Sequence, residues 1–333
     1  MTPERDIALD WSVLDIDARS EVERLSRELR DCAATVLRKR GAVVAISGGV
    51  DSAVCAALAV RALGPERVLA LILPERESSP ESSIRARSLA AHLGLTAVEQ
   101  DIGPILEAIG CYRLRDEAVR RVLADYGSGW KMKIVVAGGL EGRINHFRLV
   151  AQSPQGASLE ARLGSREYLQ IVAATSFKQR IRKTIEYFHA DRLNYAVIGT
   201  PNRLEYDQGF FVKNGDGAAD MKPIAHLYKS QVYAIAHYLN LPPEVATAPP
   251  TTDTYSLSQG QDEFYFALPY RQMDLALWAL NHGIAKERLA ETLGISIDKA
   301  GRVYDDICAK RRATCHLHRL PVLLGSVSEV TGE

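Results

Sequence analysis

From residue 17 to residue 40 the apolar positions recur at helical spacing. Val22, Leu25, Leu29, Cys32 and Val36 share one stripe, which predicts a long amphipathic helix over Asp17–Arg40. Val43–Ile46, Val68–Leu73, Thr96–Asp101 and Tyr195–Gly199 then read as buried strands. Ser52–Leu63, Ser82–Leu93 and Glu167–His189 read as the crossover helices. Strands alternating with helices predict an α/β fold, a doubly wound and mainly parallel sheet. Between Gly110 and Glu167 the alternation breaks. Lys131–Ala137 and Ile144–Val150 are expected to form a hairpin around Gly138-Gly139, with loops at Gly127-Ser128-Gly129 and Ser153-Pro154-Gln155-Gly156. Residues 110–166 therefore read as an insertion near the mouth of the sheet. Lys131, Lys133, Arg143 and Arg148 alternate along that hairpin, and they are expected to cover an acceptor substrate. From residue 227 to 333 the pattern is mainly helical, with an irregular stretch over Pro249–Gln261. The whole chain, 1–333, reads as a single domain.

The densest chemical signal lies where the first strand meets the first crossover helix: Ala45-Ile46-Ser47-Gly48-Gly49-Val50-Asp51-Ser52. A glycine-rich turn that opens a helix is suited to phosphate. Glycines let the backbone approach an anion, their N–H groups form a concave nest, and the helix N-terminus adds partial positive charge. Ser47 and Ser52 add hydroxyl donors. Asp51 repels phosphate, so its sensible role is to hold a Mg²⁺ that bridges phosphate oxygens. The stretch lacks both the Walker A pattern and the dinucleotide fingerprint. In a doubly wound sheet such a turn leaves the C-terminal end of a strand, where ligands bind.

Composition narrows the class. Lys+Arg and Asp+Glu both number 41, a balance that opposes general nucleic-acid binding. No apolar run approaches the roughly 20 residues that span a bilayer, and the first residues lack a signal-peptide core. Cysteines 32, 55, 111, 308 and 315 contain no C-x-x-C and read as reduced thiols of a cytoplasmic protein. Ala290–Val303 has helix-turn-helix spacing, so a DNA-binding or regulatory module is a distant alternative. A helical hairpin docked on the core explains the same spacing.

Ser-Gly-Gly-x-Asp-Ser at 47–52 resembles the pyrophosphate loop of the N-type ATP pyrophosphatases. Residues 199–229 add a second pattern, from Gly-Thr-Pro-Asn-Arg-Leu-Glu through Gly-Phe-Phe-Val-Lys-Asn-Gly-Asp-Gly-Ala-Ala-Asp to Leu-Tyr-Lys. It is similar to the corresponding segment of ammonia-dependent NAD synthases, as are Pro250-Thr251 and Gln261-Asp262-Glu263 further on. The resemblance implies a Rossmann-like fold of the adenine nucleotide alpha hydrolase type. It also implies an ATP- and Mg²⁺-dependent ligase. Such an enzyme adenylates the carboxylate of deamido-NAD, and ammonia then displaces AMP to give NAD.

The implied roles fall on particular residues. ATP is expected at Ala45, Ile46, Ser47, Gly48, Gly49, Val50, Asp51, Ser52, Thr200, Lys229 and Thr251. Asp51 and Glu205 are expected to share Mg²⁺, and with Lys229 to form the catalytic set. Arg180, Lys213 and Asp220 are expected at the acid substrate. Asp216 falls in the same matching segment, His316 and His318 lie near the family's His-Lys-containing tail without matching it locally, and Phe210-Phe211 read as core. The resemblance further implies a homodimer with the acid near its interface. With 46 residues before the loop and no amidase pattern, ammonia is expected free or from a separate glutaminase. Val172-Ala-Ala-Thr-Ser-Phe177 departs from the family's aromatic and Asn-rich run. That departure keeps open an alternative, an amide or amidine ligase of the same fold acting on another carboxylate.

Overall fold

The structure, a computed structural model, describes residues 9–137, 146–248, 255–257, 259–260, 265–266, 268–325 and 327. Its centre is a four-stranded parallel sheet in the order β3-β2-β1-β7, with β1 Ala42–Ala45, β2 Val68–Ile72, β3 Thr96–Glu99 and β7 Ala196–Ile198. In register, Ala42 of β1 lies opposite Val68 of β2 and Ala196 of β7. Helix α1 (Ala18–Asp31) precedes the sheet, α2 (Val50–Leu63) links β1 to β2, and α3 (Pro80–His92) links β2 to β3. After β3 the chain leaves through α4 (Gly103–Ala108) and α5 (Cys111–Arg120), and it returns along the 29-residue α6 (Ser165–Leu193) to place β7 on the far side of β1. The strand order therefore reverses between β1 and β7. This switch point opens a crevice at the C-terminal ends of those two strands.

Both faces of the sheet are covered, as buried parallel strands require. Ala42, Val44 and Ile46 pack with α1, α2 and α8 (Lys229–Tyr238), whereas Val43, Leu69 and Leu71 pack with α4, α5 and α6. Alternate side chains of one strand thus serve two cores. The expected strand over Thr96–Asp101 forms only to Glu99. It is the sheet edge and is largely exposed, because among the described residues no strand pairs beyond it.

The first helix also departs from expectation. Asp17 caps α1, accepting from the backbone of Arg19 and Ser20, and Val22, Leu25 and Leu29 are buried. At Cys32–Val36 the winding loosens, with Leu37 N–H donating to the Cys32 carbonyl five residues back. That turn rotates the stripe out of phase. Ala33 is buried in place of Cys32, and Val36 faces solvent.

The segment between α5 and α6 builds a second, antiparallel sheet: β4 Lys131–Ala137, β5 His146–Gln152 and β6 Ser158–Arg162. The predicted hairpin is present with its second strand two residues later, and β6 is additional. Residues 153–156 form the turn between β5 and β6, closed by Ser153 N–H to the Ala157 carbonyl. The apolar face, with Met132, Ile134, Leu149 and Ala151, packs on α5 and α6. Lys131, Lys133 and Arg148 occupy the opposite face by alternation, and Arg148 pairs with Glu160 of β6 at 3.1 Å. Arg143 and Gly138-Gly139 lie outside the described residues.

The C-terminal part contains α7 (Arg203–Gln208) beside the crevice, then α8, α9 (Pro243–Ala246), α10 (Tyr270–Asn281), α11 (Lys286–Leu293) and α12 (Ile297–Thr314). Leu289, Ala290, Ala300, Val303 and Ile307 of the α11–α12 hairpin are buried against α10. Its helix-turn-helix spacing is therefore that of a hairpin docked on the core. Among the described residues no helix is long and apolar enough to cross a membrane. All five cysteines are free thiols.

Candidate active site

The crevice at the β1/β7 switch point opens into a cavity of about 760 Å³. Its first wall is the turn after β1. Gly48 has φ +82°, and a Cβ there would collide with the Ser82 carbonyl of α3, so only glycine fits. Gly49 has an ordinary extended backbone, and a Cβ there would meet only Ser47 Oγ at 3.4 Å. The two glycines are therefore not equivalent. The hydroxyls brace the turn: Ser52 Oγ accepts from Ser47 N–H at 3.2 Å and donates to the Gly49 carbonyl at 3.0 Å. Arg85 of α3 braces the turn from the α3 side and lines the cavity, its Nε donating to the Gly48 carbonyl at 3.1 Å.

Opposite the turn, the first residues of three helices converge. Asp51 is the second residue of α2, Asn202 caps α7, and Lys229 opens α8. Each helix N-terminus adds partial positive charge to the same space. Asn202 and Glu205 form a reciprocal cap: Asn202 Oδ1 accepts from Glu205 N–H at 3.2 Å, and Glu205 Oε2 accepts from Asn202 N–H at 3.1 Å. The same Asn202 donates from Nδ2 to Asp51 Oδ1 at 3.2 Å, so one amide orients both acids. Lys229, 2% exposed, forms an ion pair with Asp51. Burial disfavours its ammonium, yet the charges of Asp51 and Glu205 outweigh that effect and raise the lysine above its ordinary value. Lys229 is thus a fixed cation. Asp274 of α10, fully buried, sets its place by accepting from the backbone N–H groups of Lys229 and Ser230 at 3.1 and 2.7 Å.

Two carboxylates side by side, with no cluster of three acid, His or Cys ligands among the described residues, form a donor set of a particular kind. They suit a hard cation that takes one or two protein carboxylates, keeps waters and completes its shell with substrate phosphates, as Mg²⁺ does.

The exit of β2 forms another wall, fixed by a buried charge network. Lys178 of α6 bridges Glu75 at 2.9 Å and Glu77 at 2.7 Å, and Arg115 of α5 binds Glu77 through Nη1 at 2.6 and 2.7 Å. Burial alone would raise the Glu77 carboxyl, but Lys178 and Arg115 hold it below the usual value. Tyr112 donates to Glu75 at 2.7 Å, and Arg76 lies 3.4 Å over its ring. The far end of the cavity is apolar and aromatic. Phe147 of β5 stacks on Tyr168 of α6 at 3.8 Å, beside Val136 and Val172.

The cavity wall includes Ala45, Ile46, Ser47, Gly49, Val50, Asp51, Ser52, Thr200, Glu205 and Lys229. Gly48 lies behind them, packed on α3. Phe210 and Phe211, read as core, also line the cavity, as does Asp216, whose carboxyl is pushed up by burial. Arg180, Lys213 and Asp220 do not reach this wall. Exposed Arg180 donates to the Lys213 carbonyl at 3.3 Å, and Asp220 accepts from Val197 N–H at 2.7 Å, finishing β7. His316 contributes a backbone carbonyl to Lys213, and the His318 ring packs edge-on against Tyr206 at 4.7 Å. The inserted sheet presents apolar Val136 and Phe147 to the cavity, in place of the expected cations. Thr251, Pro250 and Gln261-Asp262-Glu263 lie outside the described residues. Residues missed by sequence reasoning include Asn202, legible as an Asn-x-x-Glu cap, and Arg85, Asp274 and Glu75, which follow no local pattern.

A glycine-bent loop at the switch point of a doubly wound sheet, facing two carboxylates and a buried lysine, defines a nucleotide-binding α/β protein. The family model for NAD synthase matches residues 21–137 and 150–317, and the chain belongs to that family. The chain is 54% identical over 318 residues to the NH(3)-dependent NAD(+) synthetase of Mesorhizobium japonicum, covering 95% of this chain and 100% of that protein. It is 39% identical over 249 residues to the enzyme of that name from Thermotoga maritima, covering 72% and 80%. Its fold is similar to that of an NH3-dependent NAD synthetase from Campylobacter jejuni, with TM-score 0.61, 22% identity, and 93% and 100% of the two chains covered. An NMN synthetase from Francisella tularensis shares the fold with TM-score 0.60, 24% identity and coverage of 93% and 99%.

The unequal glycines give one expectation. Gly48→Ala should destabilise the protein by about 2 kcal/mol or more, through the left-handed backbone and the Ser82 contact, whereas Gly49→Ala should cost under about 1 kcal/mol. Urea unfolding of both variants checks the difference, and equal losses would refute it.

Asp274 gives a second. Burial pushes its carboxyl up to about 6, against the hydrogen bonds from Ser230 and Lys229 and the charge of Lys229. Protonation is thus held more tightly in the folded chain, and the resulting stability is complete below the ordinary value of 3.8 and lost as pH rises through about 6. Asp274→Asn should flatten the dependence of unfolding free energy on pH across that window. An unchanged slope would show that Asp274 does not titrate there.

Proposed function

We propose that this chain is an ammonia-dependent NAD synthase, a ligase that forms a C–N bond. The carboxylate of deamido-NAD attacks the α-phosphorus of ATP, the bond to the β-phosphate breaks, and pyrophosphate leaves with the bonding electrons. Ammonia then attacks the carbonyl carbon of the acyl-adenylate, loses a proton, and expels AMP. The observation that carries this reading is the meeting of turn 47–49 with Asp51, Lys229 and Glu205 at the switch point. The 54% identity to proteins named NH(3)-dependent NAD(+) synthetase supports deamido-NAD over another carboxylate.

Adenylyl transfer asks for alignment and charge neutralisation more than for covalent help. The turn, with Ser47 and Ser52, receives the triphosphate. Lys229 supplies positive charge that cannot be lost near neutral pH. Asp51 and Glu205 would hold Mg²⁺, which neutralises phosphate oxygens when bound. Thr200 lies beside the nucleotide, and Thr251 is assigned to the phosphates on resemblance alone. The apolar far end, with Phe147 and Tyr168, excludes water from the reactive adenylate. Arg180, Lys213 and Asp220 lie off the wall of the single chain, so we place their contact with the acid at a homodimer interface. The chain acts as one unit in the cytoplasm, with the 110–166 region as cover, and takes ammonia free or from a separate glutaminase.

Asp51→Ala and Glu205→Ala should each remain folded by circular dichroism and lose at least about a hundredfold in pyrophosphate release with deamido-NAD. Near-normal turnover in both would sink the assigned site. With the acid's carboxylate labelled by ¹⁸O, label should appear in AMP. ADP together with labelled phosphate would instead mean an acyl-phosphate route.

A further inference from the structure

Four lysines on the cavity wall already have carboxylate partners: Lys229 with Asp51, Lys178 with Glu75 and Glu77, Lys183 with Glu186, and Lys310 with Asp306. Two arginines on the wall differ. Arg182 donates to the Leu73 carbonyl on the β2 side, and Arg85 stands at the phosphate turn itself. Arg85 makes two described hydrogen bonds, both to neutral groups: Nε to the Gly48 carbonyl at 3.1 Å and Nη2 to Ser82 Oγ at 3.3 Å. Among the described residues no carboxylate pairs with it.

The Gly48 contact has a geometric effect. In a trans peptide the carbonyl and the next N–H point in opposite directions. Holding the Gly48 carbonyl on the α3 side therefore turns the Gly49 N–H away from α3. Gly48 can adopt the required φ of +82°, and the Ser82 carbonyl packs where a side chain would stand. Arg85 thus orients the turn with one edge of its guanidinium; no described carboxylate is in ion-pair contact with it, and the exposed Glu81, one turn earlier on α3, is the acid whose charge reaches it. A planar cation of this kind suits the two-pronged oxygens of a phosphate.

Resting on the ATP-cleaving reading above, we propose that Arg85 binds the pyrophosphate half of ATP and the pyrophosphate product while locking the Gly48–Gly49 peptide. No sequence motif singles it out. Its effect should fall on the β- and γ-phosphates and leave the AMP half alone.

The test is calorimetric titration of magnesium pyrophosphate and, separately, of AMP into the full chain. Arg85→Gln keeps an N–H donor for the Gly48 carbonyl and removes the charge. It should weaken pyrophosphate binding by about tenfold or more and AMP binding by less than about twofold, and Arg85→Lys should recover part of the pyrophosphate affinity. If Arg85→Gln does not fold, Arg85→Lys against wild type carries the same comparison, with a smaller loss confined to pyrophosphate. Unchanged pyrophosphate binding, or equal losses for both ligands, would overturn the proposal alone. A wild-type chain that binds neither ligand would overturn the ATP-cleaving reading and this proposal with it.

Discussion

The buried ion pair between Lys229 and Asp51 is the constraint around which the site is arranged. It joins the first residue of α8 to the second residue of α2, and so ties the C-terminal part to the central sheet. A desolvated pair of this kind adds little net stability against well-packed apolar residues, but removing one partner leaves an uncompensated charge at a cost of about 3–5 kcal/mol. The surroundings are built to keep both partners. Asn202 orients Asp51, Glu205 adds a second negative charge, and Asp274 fixes the backbone from which Lys229 projects. A water-excluded cation aimed at a phosphate turn is the outcome.

The same logic recurs at the exit of β2. Glu75 and Glu77 would be costly to bury alone, and Lys178 and Arg115 neutralise them from two different helices. Each charge holds a neighbour in one geometry, so residues 73–78 become a rigid wall. Both clusters use helices that cross opposite faces of the sheet, and the cavity between them inherits that stiffness.

Much of this was legible in the sequence, for identifiable reasons. The strands β1, β2 and β7 are apolar runs because both faces of the sheet are covered, and the turn at 47–52 is local, so its residues are contiguous. Glu205 and Lys229 were reachable through resemblance. Legibility failed where tertiary packing decides. Val36 follows the helical stripe in sequence, but one loosened turn rotates it to solvent. Thr96–Glu99 carries a strand pattern without revealing that it is an edge. Charge alternation over 131–148 suggested a basic cover, whereas the packing of Met132, Ile134 and Leu149 turns the apolar face inward. Arg180, Lys213 and Asp220 sit in a recognisable motif, and that motif does not reveal that packing leaves them off the cavity wall of the single chain.

The path of the chain through the sheet has a consequence for how the protein is made. Asp51 lies 151 positions before Asn202 and 178 before Lys229. A chain emerging from the ribosome can complete β1, α2 and β2 early, since these pair through local crossovers. Until β7 has been synthesised and has docked beside β1, β1 has an open edge and the phosphate turn faces water with none of its opposing charges. Non-local strand pairing of this kind is slow and leaves hydrophobic surface exposed meanwhile. The binding crevice is therefore among the last features to exist, and a truncated chain that ends before residue 196 carries the phosphate turn without the wall that Thr200, Glu205 and Lys229 supply.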